Sequence, residues 1–280
     1  MLALLLFAVA QDPTAHARDL ASKLPVAHDA MLELRREAAA LPDPALRAAV
    51  EAQLLAPWLP NEAWAYAHLA EARTLLGETQ LALPPPRKGD FAAAPGGPCE
   101  DGHHGYPGGL AVHSLADLLH AKALAKVYEH VYGVELHEDQ LVAAAIWHDS
   151  LKAATLPFRA DGSCGPEPLI AGTPAHHVLG LAAGILRHLP KDFLMVIASA
   201  HSPDKACEWL QAASIIATGE KTSCPTRTTV EAFITHFADA DYELTGLTWK
   251  RYVAKAPKGW ARYEALIQDG NDVLLFNRSP

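Results

Sequence analysis

The strongest constraint on the fold is punctuation. Apolar residues recur at helical spacing in segment after segment, proline and glycine separate the segments, and no convincing set of alternating apolar and polar residues marks a sheet. Helical patterns occupy about 109 to 131, 138 to 154, 174 to 188, 190 to 201, 204 to 217 and 228 to 243. In the last of these, Val230, Phe233, Ile234 and Phe237 follow the i, i+3, i+4, i+7 stripe expected of a buried helix face. Half of the 280 residues are hydrophobic, enough for a sizeable core. Together these features predict an all-α bundle.

Residues 14 to 76 are rich in Ala, Leu, Glu and Arg, and prolines at 25, 42, 44, 57 and 60 cut them into helices of modest length. "LPPPRKGDFAAAPGGPCEDG", residues 83 to 102, then ends the helical pattern and marks a boundary. The expected organisation is a helical N-terminal segment and linker over 11–90, a main domain over 91–245, and a C-terminal extension over 246–280. That extension carries "WKRYVAKAPKGW" and "DVLLF", and is expected to dock on the bundle as a helix and tail. "LALLLFAVA" at the start ends in Ala-Val-Ala before polar "QDPTA", so residues 1–10 resemble a signal peptide and predict an exported protein, periplasmic or secreted. No Lys or Arg precedes the run; an apolar helix packed on a cytoplasmic protein is the alternative. The run is too short to span a bilayer as a helix.

A net charge of −9 gives no electrostatic footprint for a long nucleic acid, which needs clustered Lys and Arg. Cys99, Cys164, Cys207 and Cys224 form no CxxC pair, which removes a thiolate zinc site or thioredoxin-like centre and leaves two disulfides open.

Twelve of the fifteen histidines lie between 103 and 236, where even scatter would put about half. Neutral imidazole is a common metal ligand and costs free energy to bury without a partner, so this excess inside an apolar domain points to metal. "AIWHDSLKA", residues 145 to 153, sets His148 beside Asp149, with Lys152 four and three residues beyond them on a shared face. Upstream, "GHHGYPGGLAVHSLADLLHA" places His113 early in a helix behind a glycine-rich loop in which His103 and His104 lie. Downstream, "GTPAHHVLGLAAGIL" opens a helix at His176 and His177, "MVIASAHSP" ends one at His201, and "FITHFADADYE" offers His236, Asp239 and Asp241.

In order these read H, HD, H, H, D, and the chain over about 100 to 245 resembles the HD-domain superfamily of metal-dependent phosphohydrolases. Four segments carry the resemblance: "HHGYPGGLAVHS", "AIWHDSLKA", "HHVLG" and "HFAD". The first is similar to the first-histidine segment of the branch that includes a bacterial 3′ to 5′ exoribonuclease and some relaxase-associated domains. The resemblance implies that His113, His148, Asp149 and Asp239 are metal ligands, that Lys152 is the helper lysine, and that His176 and His201 join them in a two-metal site bridged by Asp149. The H-x-x-x-G spacing to Gly180 favours His176, with His177 turned elsewhere, about 100° around the helix. One metal with His201 as general acid is the alternative. Periodicity taken alone selects Asp241 as the last ligand, since it projects onto the apolar stripe; the H-x-A-D match selects Asp239. His120 and His188 read as packing or surface histidines.

Nitrogen and carboxylate donors without cysteine suit divalent Fe, Mn, Co, Ni or Zn, and a pair of octahedral ions favours Fe or Mn. The activity implied is hydrolysis of a small phosphorylated compound, for example a nucleotide, as a phosphomonoesterase or phosphodiesterase using metal-activated water. Asp149 and Lys152 are the expected catalytic side chains, with Arg159 from the following loop as a second cation on the phosphoryl oxygens. The same scaffold with a similar ligand order also serves mixed-valent di-iron oxygenases, and a non-catalytic binding module is the third reading.

Overall fold

The computed structural model describes residues 12–60, 62–67, 74, 76–78, 89–225 and 229–269. The apolar start, the PPP stretch and "DVLLF" lie outside the described residues, as do the side chains of Tyr66 and of residues 241–244. Among the described residues the chain is an all-α bundle with one two-stranded hairpin.

The N-terminal helices α1 (Pro13–Lys23), α2 (Pro25–Ala39) and α3 (Pro44–Leu55) each open on proline, whose fixed φ suits a first turn and whose missing N–H costs nothing there. Asp12 caps α1 by accepting from Thr14 N at 3.0 Å, and Asp43 caps α3 by accepting from Ala45 N at 2.7 Å. After α4 (Glu62–Ala67) come α5 (Gly109–Tyr132), α6 (Glu138–Trp147) and the single turn α7 (Lys152–Thr155). A hairpin of β1 (Leu169–Ile170) and antiparallel β2 (Thr173–Pro174) leads into α8 (Ala175–Leu186), α9 (Lys191–Ser199), α10 (Ala206–Thr218) and α11 (Val230–Ala238). A 3-10 turn, Asp239–Asp241, joins α11 to α12 (Tyr242–Val253), and α13 (Trp260–Asp269) follows.

Helices α2 and α3 share one apolar core with α5, α6, α8, α9 and α10, built around Leu34, Val50, Leu118, Trp147, Leu179 and Ile197. A second cluster under α12 and α13 joins Leu24, Cys99, Tyr106, Phe158, Trp249 and Tyr263, so the C-terminal extension is docked. Trp249 Nε1 donates to Cys99 O at 3.0 Å and Tyr263 Oη to Gly162 O at 3.0 Å. All four cysteines pair, Cys99 with Cys164 and Cys207 with Cys224. The first bridge ties the proline-glycine loop to the turn beyond α7.

The glycine pair before α5 has a packing cause. Gly108 takes φ +79°, and a Cβ there would meet Ala27 Cβ of α2 at 2.6 Å; a Cβ on Gly109 would meet His104 O at 1.9 Å. Only glycine lets the loop fold this closely beneath the start of the long helix.

Two sequence expectations are corrected. Ile234 is buried, but Phe233 and Phe237 are 45% and 53% exposed, and the inner face of α11 is instead Ala232, Thr235 and Ala238 with Ile234. Small residues let α11 approach α5 and α9 closely, so volume rather than hydrophobicity chose the face. The helix expected over 138 to 154 stops at Trp147; residues 148–151 are turn before α7 resumes.

Candidate metal centre

Five elements deliver polar side chains to one buried point: His113 and Asp117 from α5, His148 and Asp149 from the end of α6, His176 from the start of α8, His201 from the turn after α9, and Asp239 from the end of α11. His113 and Asp149 are fully buried, and only the His201 side chain, 19% exposed, opens toward solvent.

The break after Trp147 shapes the centre. Lys152 N bonds to Asp149 O at 2.9 Å and Ser150 N to Trp147 O at 3.0 Å, three-residue spacings that tighten the turn. Side chains three apart then eclipse. Lys152 therefore lies on Asp149, donating to its Oδ2, and reaches Gly96 O at 2.7 Å. Behind the turn, Ser150 Oγ donates to Trp147 O at 2.8 Å and accepts from Gln53 Nε2 at 3.1 Å, so α3 holds the dyad from outside the domain expected at 91–245.

Asp149 faces two ways. Its Oδ2 lies 3.1 Å from His113 Nε2 and 3.7 Å from His148 Nε2, while its Oδ1 lies 3.0 Å from His176 Nε2 and 3.1 Å from His201 Nε2. Asp239 Oδ1 lies 3.2 Å from His113 Nε2 and its Oδ2 2.9 Å from His201 Nδ1. Helix α11 ends at Ala238, so an ideal-helix projection does not extend to residues 239–241, and Asp239 is the carboxylate in the cluster. The Asp241 side chain lies outside the described residues.

The imidazoles are held in one orientation. His148 Nδ1 lies 3.2 Å from Ala144 O and 3.1 Å from Ala145 O, and His176 Nδ1 lies 2.8 Å from Glu167 Oε1. These oxygens accept only, so each Nδ1 carries a proton and each Nε2 is the atom left facing the carboxylates, the orientation seen in metal-bound histidines. His148 Nε2, Asp149 Oδ1, His176 Nε2 and His201 Nε2 are buried without hydrogen-bond geometry to any partner. Neighbouring donors bonded at about 2.1 Å to one ion lie roughly 3.0 to 3.4 Å apart, close to the 2.9 to 3.7 Å separations of this cluster.

Charge agrees. Three buried carboxylates, Asp117, Asp149 and Asp239, face one buried ammonium, Lys152. Burial opposes ionisation of Asp149, but Lys152 and then His148 outweigh it and hold the carboxyl well below the usual range. Burial also opposes charge on Lys152, which Asp149 reverses, so the lysine stays protonated. Burial would neutralise His201, yet Asp239 and Asp149 push it up to about 9. Net negative charge in a dry cluster is costly unless a cation joins it, so these residues could hold metal ions.

His113, His148, Asp149, Lys152, His176, His201 and Asp239 thus meet in one place. Arg159 is exposed, with its guanidinium beside Gly165. His177 is not turned away: its ring stacks on His201 with centroids 3.9 Å apart, and its Nδ1 lies 2.6 Å from Thr173 Oγ1. Position 177 lies in the first turn of α8, beside the cluster, so a rotation of about 100° from His176 leads to another wall of it. His103 and His104 line a further wall, with centroids 4.6 and 5.4 Å from His113. His120 packs against Ala238 O. Sequence reasoning missed Asp117 and Glu167. For Asp117 a signal existed, four residues after His113 on one helix face; for Glu167, nine residues before His176 in a loop, none did.

An all-α bundle enclosing a His/Asp cluster able to bind metal is thereby defined. No protein-family model matches the chain, and no solved structure matches it. The chain is similar to the dihydroneopterin 2',3'-cyclic phosphate phosphodiesterase of Methanocaldococcus jannaschii, with 30% identity over 138 residues. The match takes in 49% of this chain and 47% of the relative, so the chain spans about half the length of the curated relative it matches. Among the described residues no helix is long and apolar enough to cross a membrane.

Proposed function

We propose that the chain is a metal-dependent phosphohydrolase of the HD-domain type, acting as a phosphodiesterase on a small phosphorylated compound. One observation carries this reading: His148 and His176 have their Nδ1 atoms locked by acceptors while their Nε2 atoms converge on a buried, charge-deficient carboxylate cluster. The similarity to a phosphodiesterase favours hydrolysis over the oxygenase reading.

His113, His148, Asp149 and Asp239 would hold one divalent ion, and Asp149, His176 and His201 a second, with Fe or Mn preferred by the donor set. Ions of this class polarise phosphoryl oxygens and make water a nucleophile at neutral pH. Asp149 orients both halves of the centre through its two oxygens. Lys152, anchored on Gly96 O, keeps its charge beside Asp149, where a phosphoryl oxygen gains negative charge. His201 and His177 form the opening, so substrate approaches along their stacked rings. Cys99–Cys164 and Cys207–Cys224 fit an oxidising compartment, as the signal-like start does.

The test is hydrolysis of bis(p-nitrophenyl) phosphate and of a 2',3'-cyclic nucleotide by protein loaded anaerobically with Mn(II) or Fe(II), beside Asp149→Ala. Turnover lost by at least ~100-fold in the variant is expected. Equal rates in the two proteins would sink the hydrolytic reading.

A further inference from the structure

Glu167 and Asp117 are both carboxylates beside histidines of the cluster, but they approach opposite edges of the rings. Glu167 takes the Nδ1 edge of His176, the position of a group that orients a ligand. Asp117 takes the Nε2 edge, the edge that faces the centre: its Oδ2 lies 3.3 Å from His113 Nε2 and 3.4 Å from His148 Nε2. Asp239 Oδ1 stands in the same relation to the same two atoms, at 3.2 and 3.7 Å. The Nδ1 edge of His148 is already taken by the Ala144 and Ala145 carbonyls. Donor atoms of His113, Asp117, His148 and Asp239 all lie within 4.8 Å of one another, and all four residues are buried. The four His–Asp separations, 3.2 to 3.7 Å, lie below the roughly 4.2 Å between opposite corners of an octahedron with bonds of about 2.1 Å, as sharing one ion requires.

From this geometry, and resting on the metal-dependent reading above, we propose that Asp117 is itself a metal ligand, beyond the H, HD, H, H, D set. Its consequence is asymmetry. The ion between α5 and α11 would be held by two imidazoles and by the carboxylates of Asp117 and Asp239, with Asp149 Oδ2 alongside, 3.1 Å from His113 Nε2. The ion on the other side of Asp149 has His176, His201 and the second Asp149 oxygen, and keeps most of its positions for substrate. The first ion is the tightly held one; the hard carboxylate oxygens beside its two imidazoles favour Mn(II) or Fe(II) over Zn(II). The second exchanges.

The experiment compares wild type, Asp117→Asn and Asp117→Glu in the full chain, read by metal stoichiometry after dialysis, by Mn(II) affinity against a competing chelator, and by the visible spectrum of Co(II)-loaded protein. Expected are a tight and a weak class of ion in wild type, a ~10- to 100-fold loss of affinity for the tight class alone in Asp117→Asn, and an altered Co(II) spectrum in both variants. A folded Asp117→Asn protein with wild-type stoichiometry, affinity and Co(II) spectrum overturns the proposal. If that variant does not fold, an Asp117→Glu protein with an unchanged Co(II) spectrum overturns it equally. Wild type that binds neither ion sinks the functional reading itself.

Discussion

Two buried cations among the described residues, Arg262 and Lys152, lie in opposite circumstances. Arg262, in α13, has its guanidinium matched: two bonds to Glu100 at 3.0 and 2.9 Å, one to Pro257 O at 3.2 Å and a longer one to Cys99 O at 3.5 Å. Lys152 is outnumbered, one ammonium in a cluster with three buried carboxylates, where the Nε2 atoms of His148, His176 and His201 are buried without hydrogen-bond geometry. The first is a lock between the C-terminal extension and the proline-glycine loop. The second is part of a site. What separates them is whether the charges balance without a ligand, since both are buried and both are ion-paired.

That contrast can be broken experimentally. Lys152→Met should cost about 3–5 kcal/mol of stability in metal-free protein, because it strands Asp149, and saturating Mn(II) should return a large part of it. Arg262→Met should cost less, about 2–3 kcal/mol, since Glu100 remains half-exposed and can be solvated, and the loss should be the same with and without Mn(II). Denaturant titrations of both variants in chelator and in Mn(II) decide it; equal metal responses would erase the distinction. A smaller effect is expected from Glu167→Gln, which leaves the His176 imidazole less firmly oriented: metal affinity should fall ~10-fold or somewhat more without loss of fold. A competition assay with a fluorescent chelator measures this.

The smallest effect is a proton. In metal-free protein His201 is raised to about 9, so its contribution to stability is fully present below the ordinary histidine value of 6.5 and is lost as pH rises through about 9. Metal needs the neutral ring, so affinity should move the opposite way, rising with pH and levelling above about 9. Asp149 and Asp239, held well below 3.8, stay ionised throughout this window. Calorimetry at pH 7.5 in two buffers of different ionisation enthalpy should show close to one proton released from His201 on metal binding. No buffer dependence would mean that no net proton leaves on binding, and would overturn a protonated His201 in the metal-free protein.

Much of this was legible in one dimension. The helical period and the proline and glycine breaks predicted the bundle, and the order His113, His148-Asp149, His176, His201, Asp239 singled out residues that the fold brings together. The misreadings share a cause. Phe233 and Phe237 were assigned inward from hydrophobicity, whereas close helix packing favoured Ala232 and Ala238. For His177 the H-x-x-x-G spacing predicts a direction about 100° away from His176, and in the cluster that rotation leads to another wall. Asp117 follows His113 by four residues, and only its distance from His113 and His148 sets it apart from any other helix carboxylate.

The sequence by itself determined where the first helices begin, through Asp12, Asp43 and the prolines after them, and which donor chemistry is present, nitrogen and carboxylate without a CxxC pair. Tertiary structure decided which atoms of those donors meet. Convergence depends on the tight turn at 148–151, the end of α11 at Ala238 and the acceptors that hold each imidazole. Those contacts join residues up to about a hundred positions apart, such as Gln53 and Ser150. Local propensity carries no record of such pairs, because packing free energy is paid between elements rather than within them.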